Sequence, residues 1–187
     1  ARGVVRRWVQ LSSIGVYGSL RSGEIDESSP PQPASRYERS KLAAAALVAA
    51  AAAQGAFEHV ILRPSGVFGP GMPGRGLGQL LAVIDRGLFF YIGPPGVVAN
   101  YVHVDNVAAA LELCAFARGA SGATFNLSDD VPLETFVDAI CAGLGRTPPR
   151  LRLPEAPVAA VATLFGALPG FPLNRSRIEV LTRRARR

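Results

Sequence analysis

Three stretches of the sequence predict an α/β fold, a parallel sheet with helices on its faces followed by a small C-terminal subdomain. Residues 7–13 (RWVQLSS) are a short apolar run ending in hydroxyls, the pattern of a buried parallel strand whose C-terminal end opens on a site. Residues 37–54 are an almost unbroken run of strong helix formers, with Gly55 as the stop. Residues 59–62 (HVIL) read as a second short buried strand. Strand, long crossover helix and strand make a βαβ unit, and that topology implies parallel strands.

The other elements are read in the same way. Residues 18–36, rich in Ser, Pro and Gly, are expected to form a loop. The run GPGMPGRGLG at 69–78 is too rich in glycine for regular structure and reads as a flexible loop on the substrate side. A helix is expected over 79–86, a strand over 100–104, a helix over 107–117 and a strand over 124–127. A helix over 133–144, with Asp130 as its candidate N-cap, and a short strand over 150–153 complete the order. No internal repeat is found.

Composition narrows the function classes. With 187 residues, 49% of them hydrophobic and 18% charged, the chain can bury a substantial core. The longest apolar runs, 42–53 and 156–168, fall short of the roughly 20 residues a membrane-spanning helix needs and read as buried or half-buried helices. No signal peptide is read in residues 1–8, which are basic and lead into a strand, so the cytoplasm is the expected compartment. Cys114 and Cys141 have no second Cys or His at ligand spacing, which favours core packing over a disulfide or a metal site. Much of the net charge of +6 lies at the two ends, in Arg2, Arg6 and Arg7 and in Arg183, Arg184, Arg186 and Arg187. No aromatic residues alternate with these arginines as a nucleic-acid platform requires, so they read as solvated ends. Of twenty basic residues nineteen are Arg, and Lys41 is the only lysine. So strong a bias towards Arg marks Lys41 as a place where chemistry needs a compact ammonium.

Tyr37 stands four residues before Lys41 at the start of a helix, so the two side chains share a face. A phenol, with an ordinary pKa near ~10, is a poor acid-base group at neutral pH, and a cation beside it favours the phenolate. The hydroxyl of Ser13, at the end of the preceding strand, can hold a carbonyl or alcohol oxygen while Tyr37 moves its proton. No protein side chain accepts a hydride, so a nicotinamide cofactor is implied.

Tyr-x-x-x-Lys alone is a weak signal, but the ordered pattern is more specific. It runs SSIGVYG (12–18), YERSK (37–41), LRPSGVFGPG (62–71) and YVHVDNVAAA (101–110). This resembles the extended short-chain dehydrogenase/reductase family, the NAD-dependent epimerases and dehydratases. The resemblance implies a partial Rossmann-like parallel sheet with flanking helices and a small C-terminal substrate-binding subdomain. Residues 1–68 would be the second half of the NAD(P)-binding domain. Residues 69–187 would be mainly substrate-binding, with segments around 100–127 returning to the Rossmann domain. No G-x-G-x-x-G turn lies between a strand and a helix near the N-terminus, and the glycines at 69–78 begin some distance after the second strand. The family's glycine-rich first half, roughly a hundred residues, is therefore expected before Ala1, and a further short stretch after Arg187.

By the same resemblance Ser13, Tyr37 and Lys41 are catalytic, with Tyr37 the general acid/base and Lys41 both a ribose ligand and the cation that stabilises the phenolate. Ser12, Tyr37, Lys41, Pro64, Ser65, Gly66 and Val67 would contact NAD or NADP, and Ser13, Ile14, Tyr17 and Arg75 the substrate. Dehydratases carry Asp-Glu directly after the catalytic hydroxyl residue, where this chain has Ile14 and Gly15, so dehydration is not expected. Nucleotide-sugar enzymes often carry Asn where Gly66 stands, and Arg-Asp where Ala99 and Asn100 stand. The segment at 100–107 is equally similar to the 3β-hydroxysteroid dehydrogenase-like branch, whose substrates are apolar alcohols and ketones. The segment around 172–184 resembles bacterial polysaccharide-biosynthesis members, which favours an epimerase of nucleotide sugars, an oxidoreductase and isomerase expected to be a homodimer when complete. A non-catalytic relic of such an enzyme is the third reading. Arg63 is open between a phosphate contact and a structural ion pair, His103 reads as packed or hydrogen-bonded, Asp105 and Asn106 as helix-capping residues, and Asn126 as a turn residue.

Overall fold

The computed structural model describes residues 5–18, 23–72 and 75–165. The segment at 172–184, the terminal arginines Arg2, Arg183, Arg184, Arg186 and Arg187, and the end of the apolar run 156–168 lie outside the described residues.

Strand β1 (Arg7–Leu11), helix α1 (Arg36–Ala53) and strand β2 (Glu58–Pro64) form the expected βαβ unit. Strand β3 (Gly66–Phe68), helix α2 (Arg75–Asp85), and strands β4 (Tyr91–Ile92) and β5 (Val98–His103) follow. Then come α3 (Val104–Phe116), β6 (Thr124–Leu127), β7 (Asp129–Pro132), α4 (Leu133–Leu144), β8 (Arg152–Leu153) and α5 (Glu155–Phe165). The main sheet has the order β1-β2-β6 and is parallel throughout. A second sheet has the order β3-β5-β7, and β4 pairs with β8.

Strand alternation sorts the residues of the main sheet. Val60 and Leu62 face α3, packing with Cys114, Ala120 and Val9. Arg63 lies on the opposite face, beside Asn126 in the register of β2 and β6. A second core joins α2 and α4 around Phe89, Tyr91, Val137 and Cys141. Both cysteines are free and buried, as core residues should be.

Helix α1 begins on a full capping box. The Ser35 hydroxyl accepts from the Glu38 amide, and the Glu38 carboxylate accepts from the amides of Ser35 and Ala34. A cap of this kind contributes ~1 kcal/mol. These hydrogen bonds, led by that from Ser35, hold the Glu38 carboxyl below its usual range.

Several expectations are corrected. Helix α2 begins at Arg75, so Gly76 and Gly78 are helical rather than part of a loop. Asp130 does not cap α4: it lies in β7, and Pro132 stands at the cap with no side-chain hydrogen bond. Asp105 and Asn106 fall inside the first turn of α3, where His103 is the cap, its Nδ1 accepting from the Asp105 amide at 3.3 Å. Asn126 is a strand residue of β6.

Burial pushes the Tyr91 phenol up to about 12, with the charges of Asp138 and Glu134 adding to the effect. An unfolded phenol titrates near ~10. Between these values the unfolded chain releases a proton that the folded chain keeps, so stability present below pH ~10 is lost as the pH rises towards 12. Denaturant midpoints measured across this alkaline window should fall, and fall less in Tyr91→Phe. An equal fall in both proteins would exclude Tyr91 as the group responsible.

Candidate active site

The parallel strands place their C-terminal ends side by side: Leu11 pairs with Leu62, and Pro64 with Leu127. The Ser12 amide extends the ladder by donating to the Leu62 carbonyl at 2.8 Å. Ser13 then leaves the strand and caps a single 3-10 turn, Ile14–Tyr17, its Oγ accepting from the Gly15 amide at 3.1 Å. That bond uses a lone pair of Ser13 and leaves the hydroxyl hydrogen available to another oxygen.

Lys41 is one helical turn beyond Tyr37, and its ammonium lies 5.7 Å from the centre of the Tyr37 ring. The same Nζ donates to the Leu11 carbonyl at 3.3 Å, which ties α1 to the end of β1. A Cβ added to Gly15 would stand 3.3 Å from both Ser13 Oγ and Glu38 Cγ, so the first turn of α1 abuts the Ser13 turn. Ser13, Tyr37 and Lys41 are thereby gathered at one end of β1. Tyr37 is 58% exposed, so its ring is presented to whatever binds there.

The other predicted residues divide. Ser12 and Ser65 are buried at the strand ends, and their hydroxyls have no hydrogen-bond partner among the described residues. Such orphaned hydroxyls fit a polar group of a bound cofactor. Pro64 ends β2, while Gly66 and Val67 pair in β3 with Tyr101 and Val102. Ile14 and Tyr17 are 4% and 2% exposed. Their side chains pack inward with Val16 and Ile25, so among the described residues neither presents its side chain to the cleft. Arg75 heads α2, and its side chain lies outside the described residues.

A polar chain beneath the Ser13 turn was not legible in the sequence. The Tyr17 hydroxyl accepts from Arg63 Nη1 and donates to Asn126 Oδ1 at 3.0 Å. The Arg63 guanidinium lies 5.0 Å from the centre of the Tyr17 ring. The backbone amide of Asn126 donates to the Glu27 carboxylate at 2.7 Å. Arg63 is buried, and among the described residues it forms no salt bridge. Sequence spacing cannot reveal this cluster, because Arg63 and Asn126 meet only through strand register.

Among the described residues no group of three His, Cys, Asp or Glu side chains could hold a metal, and no helix is long and apolar enough to cross a membrane.

Comparison with known proteins bears on this geometry. Human short-chain dehydrogenase/reductase family 42E member 1 is 35% identical over 205 residues, covering 94% of this chain and 52% of that protein. The chain thus spans about half the length of the curated relatives it matches. The structure of MoeE5 in complex with UDP-glucose and NAD is 30% identical, with a TM-score of 0.61 over 81% of this chain and 52% of that one. RMD from Pseudomonas aeruginosa, solved with NADPH, shares the fold at 23% identity, with a TM-score of 0.61 over 82% of this chain and 56% of that one. The model of the NAD dependent epimerase/dehydratase family matches residues 1–128, and the chain, with its Rossmann-like parallel sheet and its Ser13, Tyr37 and Lys41 at one strand end, belongs to that family.

Proposed function

We propose that this chain supplies the catalytic half of an NAD(P)-dependent epimerase or oxidoreductase, which moves a proton and a hydride at a secondary alcohol or ketone of a nucleotide sugar. The carrying observation is the gathering of Ser13, Tyr37 and Lys41 at the end of β1. Ser13 donates its free hydrogen to the substrate oxygen, Gly15 having fixed the direction of the Oγ. Tyr37 takes the alcohol proton on oxidation and returns it on reduction. Lys41 places its ammonium 5.7 Å from the centre of the Tyr37 ring. A bound nicotinamide supplies the hydride acceptor or donor. Ser12, Ser65 and the backbone of Gly66 and Val67 are the groups we assign to holding it, together with Lys41.

The nucleotide-sugar assignment is supported by the similarity to MoeE5, whose structure holds UDP-glucose. A second reading, an apolar alcohol or ketone, is favoured by two observations. At Gly66, where nucleotide-sugar enzymes often carry Asn, a Cβ would stand 2.9 Å from the Tyr101 ring. Asn100, where they often carry Asp, is instead bonded to Asp130 at 2.8 Å.

The deciding experiment gives the purified full-length protein UDP-glucose or UDP-glucuronic acid, and separately a 3β-hydroxysteroid, each with NAD and with NADP. Products are followed by chromatography and by nicotinamide absorbance. An epimerised or oxidised UDP-sugar is expected. Turnover of the steroid alone would replace the first reading by the second, and turnover of neither class would count against both.

A further inference from the structure

Tyr17 is a large, fully buried side chain one turn beyond Ser13, and its hydroxyl is held from both sides. We propose that Tyr17, gripped by Arg63 and Asn126, is a positioning residue that fixes the 3-10 turn and through it the aim of the Ser13 hydroxyl. The inference rests on Ser13 being the substrate-oxygen donor.

The argument follows the chain. Ser13 caps the four-residue turn Ile14–Tyr17 and Tyr17 ends it, so the two residues stand at opposite ends of one rigid unit. Its Ser13 end is set by the strand ladder at Ser12 and by the Gly15 amide. Near its Tyr17 end the backbone is held by the Gln32 amide, which donates to the Val16 carbonyl at 2.9 Å, but the Tyr17 ring itself would otherwise be held by apolar packing, which fixes position but not rotation. The phenolic oxygen accepts from Arg63 and donates to Asn126, so both of its hydrogen-bonding roles are filled and its location is defined by two strands of the main sheet. Arg63 suits this task because its guanidinium both donates to the oxygen and lies over the ring face. Glu27 accepts from the backbone amide of Asn126 and pins the following loop to β6. A donor misplaced by about 1 Å costs on the order of a hundredfold in rate, so a device that removes rotational slack from the Ser13 turn has a measurable effect.

The test is a double-mutant cycle in the full-length protein, with UDP-glucose and the 3β-hydroxysteroid as substrates. Tyr17→Phe keeps the ring and removes the oxygen, and kcat should fall about ten- to a hundredfold, with KM for the dinucleotide unchanged. Ser13→Ala alone should lower kcat by on the order of 10²- to 10³-fold. In the Ser13→Ala background, Tyr17→Phe should then cost less than about twofold, because the residue through which it acts is gone. Equal loss in both backgrounds would show general damage to the fold and overturn the proposal, as would no loss in the Ser13 background. If Ser13→Ala leaves kcat intact, the role assigned to Ser13 falls first and the positioning role with it. A crystal structure of Tyr17→Phe gives a second readout independent of turnover: the bond from the Gly15 amide to Ser13 Oγ should be lost or split between two positions, and an unchanged bond would overturn the proposal. Should Tyr17→Phe not fold, Asn126→Ser breaks the same grip from the other side and is read by the same cycle.

Discussion

Tyr37→Phe in the full-length protein is expected to lower kcat by on the order of 10²- to 10⁴-fold while leaving the melting temperature almost unchanged. The two halves of this expectation come from different features of the site. The ring is 58% exposed and its helix is anchored elsewhere, by the capping box at Ser35 and by the Lys41 bond to Leu11. Removing one oxygen from so exposed a side chain should cost less than about 0.5 kcal/mol of stability. Turnover, by contrast, loses the only phenol placed beside the chain's single lysine. Lys41 cannot stand in, because its ammonium is held at the Leu11 carbonyl and carries charge rather than a proton acceptor. Steady-state kinetics and a thermal melt on the same preparation check both halves. Near-normal turnover in a folded variant would remove Tyr37 from the mechanism.

The parts of the fold written in short-range pattern were legible in the sequence. Strands β1 and β2, helix α1 and its stop at Gly55 depend on apolar runs, helix propensity and one glycine, all of which are local. Strand β6 was read with its observed bounds for the same reason. Strands β3, β4 and β7 were missed. They are two to four residues long, and strands so short exist because a partner is present to pair with them, β5 for β3 and β7, and β8 for β4. The first turn of α2 was lost to its glycines, which are poor helix formers read in isolation. Asp130 was misread as a cap because a short polar residue before a helix is ambiguous. Its carboxylate instead accepts from Asn100 and Ser128 within the second sheet.

The site divides along the same line. Ser13, Tyr37 and Lys41 could be named because two of them share a helical turn and the third ends the strand before it. The setting of Tyr17 could not be read, because its partners Arg63 and Asn126 are 46 and 109 residues away in the chain. An aromatic residue after a strand end reads equally well as a pocket wall or as a buried anchor. Only the packing of the turn against β2 and β6 decides between them.

Gly18→Ala should destabilise the protein by about 3 kcal/mol, far more than an exposed substitution does. Gly18 follows the 3-10 turn with φ 76° and ψ −161°, a region that is essentially restricted to glycine and costs any other residue ~1–3 kcal/mol. Space adds a second penalty: a Cβ at Gly18 would lie 2.4 Å from the backbone carbonyl oxygen of Gln32. That carbonyl cannot yield as a side chain would, because the Gln32 amide donates to the Val16 carbonyl at 2.9 Å. Moving the segment aside would break this bond, at ~1 kcal/mol. Gly55→Ala is the matched control, since Gly55 has φ +78° but nothing within 4 Å of an added Cβ. Urea denaturation of both variants in the full-length protein should show the Gly18 loss exceeding the Gly55 loss by at least ~1 kcal/mol. Equal losses would show that backbone conformation alone accounts for Gly18 and that the Gln32 contact carries no weight. A larger loss at Gly18, with kcat also reduced in the folded fraction, would tie the same tight turn to the placement of Ser13.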